Sequence, residues 1–100
     1  MPSDARPVRS NPSLEGVAKY RDLLERILLG DSDAGIDFDD LRRLLLRLGF
    51  EERIRGSHHL FRKAGIQERL NLQRDGRHAK VYQVRQVRAV LLRYRLGGER

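Results

Sequence analysis

The period of the apolar residues changes at Gly49, and that change limits the fold more than any other feature. Phe38, Leu41, Leu44, Leu45 and Leu48 lie on one helical stripe. Past Gly49 the apolar positions alternate instead. Phe50-Glu51-Glu52-Arg53-Ile54-Arg55 places Phe50 and Ile54 on one side of a strand, Gly56-Ser57 supplies a turn, and His58 to Lys63 runs back as a second strand. A third strand is predicted over Glu68 to Gln73, where Leu70 and Leu72 alternate with Arg69, Asn71 and Gln73, followed by a turn at Arg74-Asp75-Gly76-Arg77. Helical spacing returns from Lys80, with Val84, Val87, Leu91 and Tyr94 on one stripe and Arg85, Arg88 and Arg95 largely off it. Upstream, Leu14, Val17, Tyr20, Leu24, Ile27 and Leu28 mark another amphipathic helix, with Ser13 as its N-cap and Gly30 as its stop. The order is helix, helix, three antiparallel strands, helix, an α+β fold.

A chain of 100 residues, 39% of them hydrophobic, can bury one small core. Residues 1–12 hold all three prolines and are expected to form a flexible tail. Residues 13–30 form an additional N-terminal helix, and residues 37–96 the main domain. No apolar run reaches the roughly 18 residues that a membrane span needs, and the N-terminus has no apolar signal region, so a cytoplasmic protein is expected. The absence of cysteine excludes disulfides and thiolate zinc sites. The aspartate-rich stretch Asp31 to Asp40 departs from a calcium loop, because Gly35 follows Asp31 by four positions and Asp39 and Asp40 lead into a helix. Asp37 is better placed as an N-cap, with Asp39 and Asp40 favoured by the helix dipole in the first turn.

The basic charge belongs to the second half. There are 8 Lys and Arg against 9 Asp and Glu before Phe50, and 13 against 5 from Phe50 onward, the half that also holds His58, His59 and His78. Such a field favours an anionic partner such as nucleic acid. A three-stranded sheet covered by helices on one side leaves its other side open. Side-chain parity then separates the two adjacent histidines. With Phe61 in the core, His59 points the same way, and His58, Leu60 and Arg62 project from the open side with Arg53, Arg55, Arg69, Asn71 and Gln73.

An exposed histidine among arginines and amides suits chemistry on RNA. Neutral imidazole can take a proton from a ribose 2′-hydroxyl or return one to a leaving oxygen, and guanidinium groups stabilise charge building on the phosphate. Zinc is not expected: His58 and His59 point to opposite faces and no HExxH spacing is present. Neither a metal nor another cofactor is called for, and His78 falls in a polar turn.

The run Phe38 to Leu48 followed by Leu48-Gly49-Phe50, then Arg53-Ile54-Arg55-Gly56-Ser57-His58-His59-Leu60-Phe61, a third strand and a C-terminal helix, resembles the HicA family of bacterial toxin endoribonucleases. The resemblance covers roughly residues 37 to 96. It implies a fold like a double-stranded-RNA-binding domain, cleavage of messenger RNA, and neutralisation by a HicB-like antitoxin protein. It also implies that His58, after Gly-Ser, is catalytic, with His59 the fallback. Ser57, and Lys80 at the start of the last helix, then join Arg53, Arg55, Arg62, Arg69, Asn71 and Gln73 as RNA-contacting residues. Two features depart from the family pattern: the helix from Leu14 to Leu29 is an addition, and the stretch Leu72 to Gln86 lacks the proline-and-histidine pattern that often follows the third strand. The alternative reading is a non-catalytic RNA-binding module of the same fold, against which stands the lack of a lysine cluster at the last helix, where only Lys80 is present.

Overall fold

A computed structural model describes the backbone from Pro7 to Gly97 and the side chains from Ala18 onward. Along the chain come α1 (Pro7–Leu29), α2 (Phe38–Arg47), β1 (Glu51–Arg55), β2 (His58–Arg62), β3 (Leu70–Leu72), β4 (Arg74–Asp75), β5 (His78–Ala79) and α3 (Val81–Arg93). The fold is α+β. Strands β1, β2 and β3 form an antiparallel sheet in that order, and β4 pairs with β5 in a separate two-stranded ribbon. The α-β-β-β-α arrangement thus carries α1 as an extra helix at its N-terminal end.

Local chemistry sets the boundaries. The Asp37 side chain accepts a hydrogen bond from the Asp40 amide at 3.0 Å, which caps α2 as its sequence suggests. Behind α2, Gly49 takes a φ of +101°, and a Cβ there would meet Lys63 Nζ at 2.5 Å. Only glycine makes that change of direction without strain. Gly56 has a φ of +58° while Ser57 does not share the positive sign, the pattern of a two-residue II′ hairpin turn, and this turn fixes the β1–β2 register. In that register Arg55 faces His58, Ile54 faces His59, Arg53 faces Leu60 and Glu51 faces Arg62, while across β2–β3 Leu60 faces Asn71 and His59 faces Leu72.

One core joins all three helices to one face of the sheet. Ile27 of α1, Phe38, Leu41, Leu44 and Leu45 of α2, Phe61, Leu70 and Leu72 of the strands, and Val84, Val87, Val90 and Leu91 of α3 are buried together. The opposite face of the sheet carries Arg53, Arg55, His58, Arg62 and Asn71, all exposed, with Leu60 half-buried at its centre. No helix among the described residues is long and apolar enough to cross a membrane.

The structure departs from the sequence reading in four places. Residues 1–6 of the expected tail lie outside the described residues, but the chain is already helical at Pro7, ahead of the expected start at Ser13. Proline suits a first helical position because its missing N–H has no partner there in any case. Strand β3 is shorter than Glu68 to Gln73, and the expected turn at Arg74 to Arg77 is the tip of the β4–β5 ribbon. Ile54 is 55% exposed, although its parity matches that of Phe61, because it sits beside the hairpin turn on edge strand β1, none of whose residues is buried.

Candidate functional site

His58 begins β2, directly after the Gly56-Ser57 turn, and its ring is exposed on the uncovered face. Its Nδ1 lies 3.1 Å from Asn71 Oδ1, the side chain diagonal to it on β3. With the Asn71 oxygen as acceptor, Nδ1 donates, and in the neutral ring the lone pair then lies on Nε2. Beside this pair, Gln73 Nε2 donates to Ser57 Oγ at 3.0 Å, which ties the hairpin turn to the end of β3. The first contact ties the imidazole to β3, and the second ties the turn that precedes it to the residue after β3.

The arginines around His58 differ from those that tie the elements together. Arg42, Arg74, Arg88 and Arg93 are held by carboxylates at Glu52, Asp39, Asp33 and Glu68. Among the described residues Arg53, Arg55, Arg62 and Arg69 belong to no ion pair. The register sets Arg55 directly across from His58 and Arg53 one row further along. Unpaired guanidinium groups on one face project a positive field that an incoming phosphate would neutralise. Lys80, by contrast, is half-buried at the N-cap of α3 and belongs to the helix layer, not to a strand of the open face.

His59 occupies the opposite environment. It is 8% exposed, and its ring meets Phe38 edge-on at 5.0 Å. Its Nδ1 lies 2.7 Å from Glu52 Oε2, and Glu52 in turn takes a two-pronged contact from Arg42 at 2.7 and 2.8 Å. Arg42 continues to Asp39, which also holds Arg74, and the Arg74 guanidinium stacks over Phe38 at 4.7 Å. The Arg42 hydrogen bonds, against the opposing effect of burial, hold the Glu52 carboxyl below the usual carboxylate range. Asp39 is lowered as well, first by Arg74 and then by Arg42. This chain of charges under the sheet escaped the sequence reading. Its signal was an acid, Glu52, sharing the parity of Phe50 and lying opposite a strand that places a histidine on the same face.

No group of three or more histidine, cysteine or acidic side chains among the described residues is placed to hold a metal ion. Asp33, part of the aspartate-rich stretch, is instead a partner of Arg88 and Arg85. Comparison with known proteins gives no match to a family model, to a characterised protein or to a solved structure.

Proposed function

We propose that the chain is an endoribonuclease of the HicA toxin type, with His58 as its proton-transfer group. The observation that carries this reading is the His58–Asn71 contact at 3.1 Å on a face lined by unpaired arginines. A histidine held through Nδ1 presents Nε2 as a base. Nε2 takes the proton of a ribose 2′-hydroxyl, O2′ bonds to the adjacent phosphorus, the bond from phosphorus to O5′ breaks, and a proton is returned to O5′. The products are a 2′,3′-cyclic phosphate and a 5′-hydroxyl. Arg55 and Arg53 stand where charge accumulates on the phosphate oxygens, a stabilisation that belongs to the transition state more than to the bound substrate. In this reading messenger RNA is the substrate, a HicB-like antitoxin covers the same cationic face, and the protein works in the cytoplasm.

Proton transfer and charge neutralisation both come from side chains here, so cleavage of a single-stranded RNA should proceed in EDTA. Product analysis should show cyclic phosphate termini. Activity lost in chelator and restored by magnesium, with RNA folding controlled, would overturn the mechanism. RNA that binds and is never cut would instead identify a binding module.

A further inference from the structure

One row along β2 from His58, a hollow of about 360 Å³ opens on the uncovered face, lined by Glu51, Arg53, Leu60, Arg62 and Arg69 together with neighbouring strand residues. It continues past Glu51, Arg62 and Arg69 into a second hollow of about 430 Å³ that reaches Lys63 and Gly65. Successive side chains on one face of a strand are about 7 Å apart, so the first hollow lies one step from the His58 imidazole. Its chemistry is mixed in a particular way. Leu60 gives a half-buried apolar floor, Arg53, Arg62 and Arg69 present donors and flat cationic surfaces, and Glu51 is the acidic side chain that the register places on this face. Among the described residues Glu51 takes part in no hydrogen bond or ion pair between side chains.

From this combination we infer that the hollow is a nucleobase subsite selective for guanine, in the RNA strand whose phosphate reaches His58. The inference rests on the ribonuclease reading of the same face. Guanine alone among the four RNA bases offers two adjacent donors, N1–H and the N2 amine, which a carboxylate accepts side by side, and on its other edge the acceptors O6 and N7, which suit guanidinium donors. Adenine reverses this polarity at the exocyclic position and would set its amine against the arginines. Cytosine and uracil are smaller and lack the paired edges. A single-stranded base can be taken up in this way because its edges are free and its ring can stack on guanidinium planes.

The test uses the full chain carrying His58→Ala, so that binding is read without turnover. Fluorescence anisotropy is measured with labelled oligouridine RNAs that carry one central guanosine, inosine or adenosine. The guanosine RNA should bind at least about tenfold more tightly than the adenosine RNA, with inosine, which lacks the N2 amine, in between. In the Glu51→Gln background the guanosine and adenosine RNAs should bind alike, whatever general gain in affinity follows from removing a negative charge from a cationic face. Equal affinity for guanosine and adenosine RNAs, or a guanosine preference that survives Glu51→Gln, overturns the subsite. The unsubstituted protein separates the two claims. Cleavage with no preference for guanosine keeps the nuclease and removes the subsite, whereas selective binding by a protein that never cuts keeps the subsite and removes the nuclease. No binding of any of these RNAs at low salt removes both.

Discussion

Truncating His58 to alanine removes an exposed ring whose one protein contact is to an equally exposed Asn71, so the fold should be nearly unaffected. The same change should lower RNA cleavage by about 10²- to 10⁴-fold, the range for loss of a general acid or base. His59→Ala should behave in the opposite way, costing about 1–3 kcal/mol through lost contact with Phe38 and Glu52 while the folded fraction still cleaves. Melting curves and cleavage rates on both variants decide the matter, and a folded, inactive His59→Ala beside an active His58→Ala would move the chemistry to His59. Parity alone made the opposite exposure of the two histidines legible in the sequence, since neighbours in a strand face opposite ways. What it did not reveal is that His59 is buried against a charge. Parity puts Glu52 on the side of Phe50, but the partner that satisfies it there, Arg42, comes from another element. Glu52 also makes stability depend on acid. Its folded-state pKa lies below that of the unfolded chain, so the stabilisation is fully present above the unfolded value, about 4.5, and is lost as pH falls through the lower folded value. Glu52→Gln should therefore lower stability at neutral pH by about 2–4 kcal/mol and flatten the acid limb of the stability profile. An acid limb as steep as that of the unsubstituted protein would show that other carboxylates govern it, Asp39 first among them.

Among the elements, the best-read were those with long periods. Helix α2 spans Phe38–Arg47 behind its Asp37 cap, as its stripe and cap predict, and the β1–β2 hairpin turns at Gly56-Ser57. The two-residue strands of the ribbon are too short to show an alternation, so Arg74 to Arg77 looked like a plain turn. Strand β3 ends where its neighbour β2 begins at the hairpin turn, and just past that end lies a tertiary contact that no local pattern carries. Gln83, on the first turns of α3, is 1% exposed, and in the amide orientation that satisfies both of its ends it donates to the Gln73 carbonyl at 2.9 Å and accepts from the Gln73 amide at 3.0 Å. A side chain thus serves the outward-facing backbone groups of Gln73, as a neighbouring strand would. Gln83→Leu keeps comparable bulk but strands two backbone groups, for which a loss of about 2–3 kcal/mol is expected. Equilibrium denaturation measures it, and a change below about 0.5 kcal/mol would mean that water already serves the Gln73 backbone. Helix α1 is legible by the same reasoning as α2, but its seat on the domain is not. The Arg88 guanidinium, on α3, donates to the Ile27 carbonyl at 2.8 Å, Lys19 pairs with Asp40 at 3.0 Å, and Ile27 is fully buried.

At the scale of the whole molecule the arginines that join elements are set apart from those of the open sheet face, and that contrast makes a quantitative prediction about binding. Those that join elements are engaged: Arg42 to β1 and to its own helix, Arg88 to α1 and the loop after it, Arg93 to Glu68, Arg74 to Asp39. Those of the open face, Arg53, Arg55, Arg62 and Arg69, have no acidic partner among the described residues. The composition tells only that the second half is basic. The fold determines which of its charges are already neutralised, through partners up to 55 positions apart in the case of Arg88 and Asp33. A single-stranded polyanion releases counterions for each phosphate that is neutralised, and the logarithm of its binding constant falls with the logarithm of salt by about 0.7 per contact. If the open face binds RNA, each of Arg53→Ala, Arg55→Ala, Arg62→Ala and Arg69→Ala should reduce that slope by about 0.7 where the side chain meets a phosphate, with little change in melting temperature. Arg42→Ala should do the reverse, lowering stability because Glu52 loses both of its guanidinium contacts, and leaving the salt slope of the folded protein where it was. Salt titrations by anisotropy on these five variants, each paired with a melt, test the division. Slopes that fall equally for Arg42→Ala and for the open-face variants would mean that the RNA lies across the helix layer, and the open sheet would then lose its claim to be the binding face.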